Sequence, residues 1–276
     1  MILRRLRRPD VVPLEVWNLP VAGRALWQLV GVPPAEALAA GGVCDLDASL
    51  AMARAVAAAL RALHPRHRFD AVHVGGGLLE REDFRAMLGA APLPCPVSFA
   101  ADGPFCAEPG GRALLAEVGA PAGAGAGDAG GAVVDVGQTA IKASGASGRR
   151  VRERDLEALP LQLIGAPRRP AAATRAAAAA FIAGAIAAVG PASRLVLALP
   201  CPVDDAGTPG ACTYGWEGDR DLVPEVLRRL DPTPDQVLLL NDAELFAEST
   251  RLRPEAAGRR LLCLTLGFGP GAALLG

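Results

Sequence analysis

The chain has 276 residues, of which 51% are hydrophobic but only 4% aromatic, and a formal net charge of −1. That length sets one large or two ordinary domains with ample core, built from Ala, Val and Leu rather than from rings. The near balance of charge removes the electrostatic case for nucleic acid or an acidic membrane surface as partner. No apolar run approaches the roughly 18 residues of a membrane span.

The opening Met1-Ile-Leu-Arg-Arg-Leu-Arg-Arg-Pro9 is basic, but no apolar segment with a cleavage site follows it, so it does not read as a secretory signal. Its four arginines suit a solvated strand edge better than a phosphate clamp. Residues 1–20 read as short strand or loop, broken by Pro13 and Pro20. Val21 to Leu29 has the spacing of a helix, stopped by Gly31-Val-Pro-Pro34, and a second short helix is expected to end at Gly41-Gly42. Leu46 to Leu63 is the strongest helix of this half, with Asp45 or Asp47 as cap and Leu46, Leu50, Ala53, Val56, Ala57 and Leu60 as one stripe. Phe69 to Val74 reads as a strand running into Gly75-Gly76-Gly77. A short helix over Phe84 to Leu88, a strand over Pro94 to Phe99 and a helix over Gly110 to Val118 follow.

Residues 121–131 form a Gly/Ala linker, small and unpatterned. After it, Gly131 to Val136 is a buried strand that carries Asp135 near its end. Gly137-Gln138-Thr139 make a tight turn, and Ala140 to Ala143 begin a return strand, which gives a hairpin rather than strand-then-helix. Such a turn can set backbone N–H groups and a Thr hydroxyl against phosphate oxygens, and Asp135 can hold the Mg²⁺ that accompanies a nucleotide. An ordinary hairpin with a solvated Asp fits D-x-G-x-T equally well. Val151 to Leu163 can continue this hairpin as strands. Ala171 to Val189 reads as a long helix, Leu195 to Leu199 as an apolar strand ending in Pro200-Cys-Pro-Val-Asp204, and Asp221 to Leu230 as a helix. Val237 to Leu240 is another buried strand, ended by Asn241-Asp242. Ala243 to Leu252 is helical, and Leu261 to Leu266 is a strand that enters Gly267-Phe-Gly-Pro-Gly271. Helices and strands therefore alternate, and ligands in such sheets collect at strand ends.

The six cysteines (44, 95, 106, 201, 212 and 263) contain no C-x-x-C pair, and there are only three histidines, so a zinc site does not fit. Reduced thiols in a cytoplasm do. Gly267-x-Gly269-x-x-Ala272 matches a dinucleotide fingerprint in form, but no room remains for the helix and ribose-binding acid its mechanism needs. A P-loop and a G-x-S-x-G nucleophile elbow are both absent.

Five segments then line up with one family. Asp135-Val-Gly-Gln-Thr-Ala-Ile-Lys142 resembles the first phosphate loop of the ROK sugar kinases, in the hexokinase–actin superfamily. Leu197 to Asp204 is similar to that family's apolar strand with Pro-x-Pro-Val-Asp, and Trp216 with the helix after it to the next stretch. Asn241-Asp242-Ala243 resembles its catalytic N-D-A, and Thr265 to Gly271 its second phosphate loop. Phe69 to Leu78 resembles the family's adenosine-binding strand and G-G-G turn, and Leu14-Glu15 with Ala22-Gly23-Arg-Ala-Leu26 its L-E and S-G-x-A-L. These lie before the linker rather than near the C-terminus. The resemblance thus implies a two-lobed actin-like ATPase (ribonuclease H-like) α/β fold in circularly permuted chain order. Residues 1–120 and 251–276 would form one lobe and 132–250 the other. Gln138 and Phe268 depart from the family's usual Gly and Thr, and its Cys-rich zinc motif and E-x-G-H sugar motif are not visible.

By that resemblance the protein is an ATP-dependent kinase of a sugar or polyol hydroxyl, cytoplasmic, with ATP and Mg²⁺ as cofactors. It needs no nucleic acid or membrane, and a homodimer is compatible with it. Gly137, Gln138, Thr139, Gly267, Gly269 and Gly271 would hold phosphates, Gly75, Gly76 and Gly77 the adenosine, and Asp135 the Mg²⁺. Asp242 would take the acceptor's proton, with Asn241 and Glu15 bonded to the acceptor. Plain alternatives stand beside each: a helix cap for Asn241-Asp242, a tight turn for 75–77, and solvated charges for Lys142 and Glu15. The rivals in function are a catalytically silent sugar- or nucleotide-binding regulator and an ATPase that drives a partner's reaction.

Overall fold

The computed structural model describes residues 1–30, 46–119, 130–162 and 170–276. The helix expected to end at Gly41-Gly42, Asp45 as a cap, most of the Gly/Ala linker and the end of the segment expected to reach Leu163 lie outside the described residues. The protein is α/β, with a mixed six-stranded sheet and a mixed five-stranded sheet, each flanked by helices. It divides into two compact units, Met1–Arg7 with Glu108–Glu248, and Arg8–Ala107 with Ser249–Gly276.

The first unit holds β1 (Ile2–Arg5), β7 (Gly131–Val136), β8 (Ala140–Gly145), β9 (Gly148–Glu153), β10 (Arg194–Leu199) and β11 (Gln236–Asn241), ordered β1-β11-β10-β7-β8-β9. Strands β7, β10, β11 and β1 are parallel, whereas β7-β8-β9 form an antiparallel meander. Its helices are α4 (Glu108–Glu117), α5 (Ala171–Ala187), α6 (Leu222–Arg228) and the start of α7 (Asp242–Arg251). Ala132, Val134 and Val136 pack with Ala178, Ile182 and Ile186 of α5. Val133 points the other way, and a Cβ on Gly111 of α4 would overlap it. A strand covered on both faces must be apolar at consecutive positions, which is why β7 and β10 read as continuous runs.

The second unit holds β2 (Val11–Leu14), β5 (Ala71–Gly75), β6 (Val97–Phe99), β12 (Leu261–Leu266) and β13 (Pro270–Leu275), ordered β2-β13-β12-β5-β6. Here β12-β13-β2 is the antiparallel meander, and β5 and β6 continue parallel to β12. Apart from β1, the two sheets therefore share one topology: a three-strand meander whose first strand carries two parallel strands on its far side. In the first unit the chain visits these positions in order. In the second, the positions filled by β2, β5 and β6 precede β12 and β13 in the sequence. The core joins Val72, Val74, Leu262 and Leu264 to Val56, Leu60 and Leu63 of α2 (Leu46–His67) and to Phe84 and Leu88 of α3 (Glu82–Ala90).

Several expectations need correction. The boundaries expected at 1–120 and 132–250 move, because β1 pairs with β11 and α4 packs on β7 and β10. The Arg194 guanidinium closes that attachment by donating to Leu115 O (2.7 Å) and Gly119 O (2.9 Å), so it satisfies carbonyls at the end of α4. Residues 21–29 are not one helix. Ala22 and Gly23 take positive φ (48° and 78°) and turn β3 (Pro20–Val21) back on β4 (Arg24–Ala25), so α1 spans only Leu26–Val30. The stripe of α2 is buried at Ala53, Val56, Ala57 and Leu60 as expected, but Leu46 is exposed, and Ser49, Met52 and Leu63 widen the buried face. The turn after Leu266 leads into β13, a strand, which is a second reason why the dinucleotide fingerprint does not apply.

Candidate active site

Strands β7, β10 and β11 of the first unit end together, and two carboxylates stand at those ends. Asp135 is paired across with Ala198, which is paired with Leu240, so Asn241 and Asp242 leave β11 just beyond the level of Asp135. Asp135 Oδ2 lies 3.6 Å from Lys142 Nζ, which the antiparallel register places directly opposite. Asp135 Oδ1 is buried and has no hydrogen-bond partner among the described residues. A buried carboxylate oxygen without a donor costs free energy unless a cation or a protein N–H meets it.

Asp242 opens α7, and its Oδ1 accepts the Ala243 N–H at 2.8 Å. Although the residue keeps some solvent contact, loss of hydration around the carboxyl is the largest influence on it and pushes its pKa up to about 7. The negative charge of Asp135 acts in the same direction, while the Ala243 N–H, Lys142 and Asn241 pull it back. A carboxylate poised near neutrality at a strand end is the state required of a general base.

Asn241 is both a cap and a strut. Its Oδ1 accepts the Ala243 N–H (2.9 Å), while its Nδ2 donates to Cys201 O (2.9 Å) in the Pro200–Val203 loop. Its own N–H donates to Glu244 Oε2 at 2.8 Å. The reciprocal bond from the third helical residue back to the cap makes this a capping box with Asn in place of Ser or Thr. The plain helix-cap role is thus present and aims Asp242 as well.

The turn at 137–139 is held from outside by groups that no motif pointed to. Arg154, 6% exposed, donates from Nη1 to Gln138 O (2.9 Å) and to Thr213 Oγ1 (3.0 Å), from Nη2 to Pro160 O and Thr213 O, and from Nε to Leu159 O. Its Cζ lies 3.8 Å from the ring centre of Tyr214, which stacks on Trp216 at 4.2 Å. Burial lowers the Arg154 pKa and raises that of Tyr214, whose hydroxyl donates to Gly137 O at 2.8 Å. Carbonyls of 137–139 are thereby drawn into the protein. The Gln138 side chain is committed as well: Nε2 donates to Pro200 O (3.0 Å), and Oε1 accepts from Thr213 N–H and Oγ1. What Gln138 can offer a ligand is therefore backbone, not amide. Thr139 is exposed. The one sequence signal for this cluster was that the chain's single tyrosine lies two residues before Trp216.

In the second unit the glycines gather around one strand end. Thr265 is flanked by Gly75 on β5 and Gly271 on β13, and its buried Oγ1 has no hydrogen-bond partner among the described residues. Gly76 has φ 102°, and a Cβ there would overlap the Leu266 carbonyl oxygen. Gly77 starts a short 3-10 turn, Gly77–Glu80. Gly267 N–H reaches Gly269 O at 3.4 Å, and Gly269 is required because the Trp17 ring stands where its Cβ would be. Trp17 in turn stacks on Trp27 at 5.7 Å. Glu15, just past β2, is exposed and accepts from Asn18 Nδ2 at 3.3 Å.

The structure thus brings Asp135, Gly137, Gln138, Thr139, Asn241 and Asp242 together in the first unit. It brings Gly75, Gly76, Gly267, Gly269 and Gly271 together in the second. Among the described residues no three His, Cys, Asp or Glu side chains gather as a metal cage, and no helix is long and apolar enough to cross a membrane. No protein-family model, curated protein or solved structure matches the chain.

Proposed function

We propose that the protein transfers a phosphoryl group from ATP to a hydroxyl of a sugar or sugar-like polyol, on an actin-like, ribonuclease H-like fold whose second unit has a permuted chain order. The fold assignment rests on the topology repeated in the two sheets and on the order in which the chain visits it. The function rests on one observation above others. Asp135 and Asp242 feel each other's charge across the ends of parallel strands β7 and β11, with β10 between them, the first with an unpartnered buried oxygen and the second with a pKa near 7.

The residues present fit Mg²⁺. That ion keeps several waters and needs only one or two carboxylates beside phosphate oxygens, and the orphaned Asp135 Oδ1 is such a donor. Bound ATP with Mg²⁺ would supply the phosphoryl group and the charge neutralisation that its transfer requires. The chain's own part is then positional. The backbone of 137–139, anchored from behind by Arg154 and Tyr214, orients phosphate. Lys142 keeps positive charge beside Asp135. Asp242 holds the acceptor hydroxyl and receives its proton, and Asn241 fixes the start of α7 beneath it. The turns at 267–271 and 75–77 keep the roles the resemblance implies, phosphate and adenosine.

A catalytically silent relative is the second reading, favoured by the Trp17 ring seated on Gly269 and by the full engagement of Gln138. Calorimetric titration with Mg-ATP, followed by a screen of sugars and cyclitols for ADP release, separates the possibilities. The kinase reading expects binding together with acceptor-dependent ADP release, and loss of that release in Asp242→Asn with ATP binding retained. Binding without turnover would establish the silent reading, and ADP release without any acceptor an ATPase. No binding at millimolar ATP would remove the kinase and the ATPase and favour a non-enzymatic role.

A further inference from the structure

Strand β1 has no counterpart in the second sheet and contributes little to the core. Met1 and Ile2 are 67% and 63% exposed, and only Leu3 packs against the cluster below. What β1 does deliver is Arg5. Its neighbours suggested a solvated edge, but the Arg5 side chain is 4% exposed and is paired with Glu244, at 7%. Arg5 Nη2 lies 2.7 Å from both Glu244 oxygens, Nε donates to Val203 O (3.1 Å), and Nη1 donates to Leu239 O (3.3 Å). The guanidinium therefore touches the loop after β10, the body of β11 and the first turn of α7 at once. Glu244 Oε2 is the same atom that accepts the Asn241 N–H, and the Val203 loop is the one whose Cys201 carbonyl receives the Asn241 side chain. The neighbouring Pro200 carbonyl receives Gln138.

The geometry points to Arg5 as a positioning residue: through Glu244 and the Pro200–Val203 loop it sets the Asn241-Asp242 turn against the strand end that carries Asp135. The inference rests on Asp242 being the base of the proposed transfer. Two buried charges are a poor way to gain stability, because a well-packed apolar pair of equal size does as well or better. A fixed orientation for the helix start is what the ion pair supplies instead, and misplacing a catalytic group by about 1 Å can cost about 100-fold in rate.

The test compares the wild-type chain with Arg5→Met, Arg5→Lys and the double variant Arg5→Met/Glu244→Met, which removes both charges and is expected to fold. The double variant should bind Mg-ATP with wild-type affinity and leave KM for ATP within about threefold, while kcat falls about 100-fold. Arg5→Lys should keep more kcat than Arg5→Met, because it leaves a cation next to Glu244. Amide hydrogen exchange gives a readout that needs no turnover. In Arg5→Met the amides of 241–243 should exchange about tenfold faster, with the rest of α7 and the β7–β8 hairpin unchanged. A double variant that keeps its kcat, or that loses ATP binding in step with kcat, overturns the proposal. So does one that fails to fold, or an Arg5→Met with unchanged exchange at 241–243. If the wild-type chain releases no ADP with any acceptor, the kinase reading fails by itself, and the exchange result still decides whether Arg5 holds the turn.

Discussion

Asp242→Asn should make the protein more stable, and by an amount that depends on pH. The folded-state pKa of Asp242 is raised from 3.8 to about 7, so between those values the native chain binds a proton that the unfolded chain has released. Stability then falls as pH rises through that window and levels off above it. About three pKa units at 1.36 kcal/mol each sets an upper bound of about 4 kcal/mol at pH 8. The residual solvent contact of Asp242 reduces this to about 2 kcal/mol. Asn keeps the acceptor for the Ala243 N–H and carries no charge at any pH, so the variant escapes the penalty. Its advantage over wild type should grow from under about 1 kcal/mol at pH 4 to about 2–4 kcal/mol at pH 8. Urea unfolding of both proteins at the two pH values, in buffer with a chelator so that no cation sits on Asp135, measures it. An advantage that does not change with pH, or a destabilised variant at pH 8, would refute the claim that burial and Asp135 hold this carboxyl near neutrality. The measurement needs no substrate, because both proteins are compared in their resting state.

His73, 4% exposed, has its pKa pushed down to about 4, chiefly by burial, and its Nδ1 lies 2.8 Å from Ser98 Oγ. The unfolded chain therefore binds the extra proton first, and up to about 3 kcal/mol of stability is lost as pH falls from 6.5 to 4; His73→Gln should flatten that part of the wild-type stability curve. Gly76→Ala should cost at least about 2 kcal/mol, seen as a lowered urea midpoint, because it combines positive φ with overlap on the Leu266 carbonyl. Arg154→Met should cost about 3–5 kcal/mol in the same assay, since it leaves the buried carbonyls of 159 and 213 and the part-buried ones of 138 and 160 without their donor. Equal stability of Arg154→Met and wild type would show that the turn at 137–139 does not depend on this anchor.

What the amino-acid order determined by itself is local. Apolar runs bounded by glycine and proline marked β7, β10, β11 and β12, and the close approach of Asp135, Gly137 and Lys142 along the chain made the hairpin visible, because its partners are only a few residues apart. Asn241-Asp242 at a strand end followed by a helical pattern was visible for the same reason. Competing signals hide other elements: the Ala22-Gly23 turn sits inside a helical spacing, and the small residues of β13 carry no strand signature. The tertiary structure alone decided the rest. Pairing β1 with β11 joins residues more than 230 positions apart, and no periodicity encodes such a partner. The same pairing turns Arg5 from one member of a basic run into a buried ion pair. Likewise Arg154 stands in an exposed, arginine-rich strand end until folding brings Thr213 and Tyr214 over it. Periodicity reports which face of an element is covered; which charge meets which partner is settled only by the packing of elements distant in the chain.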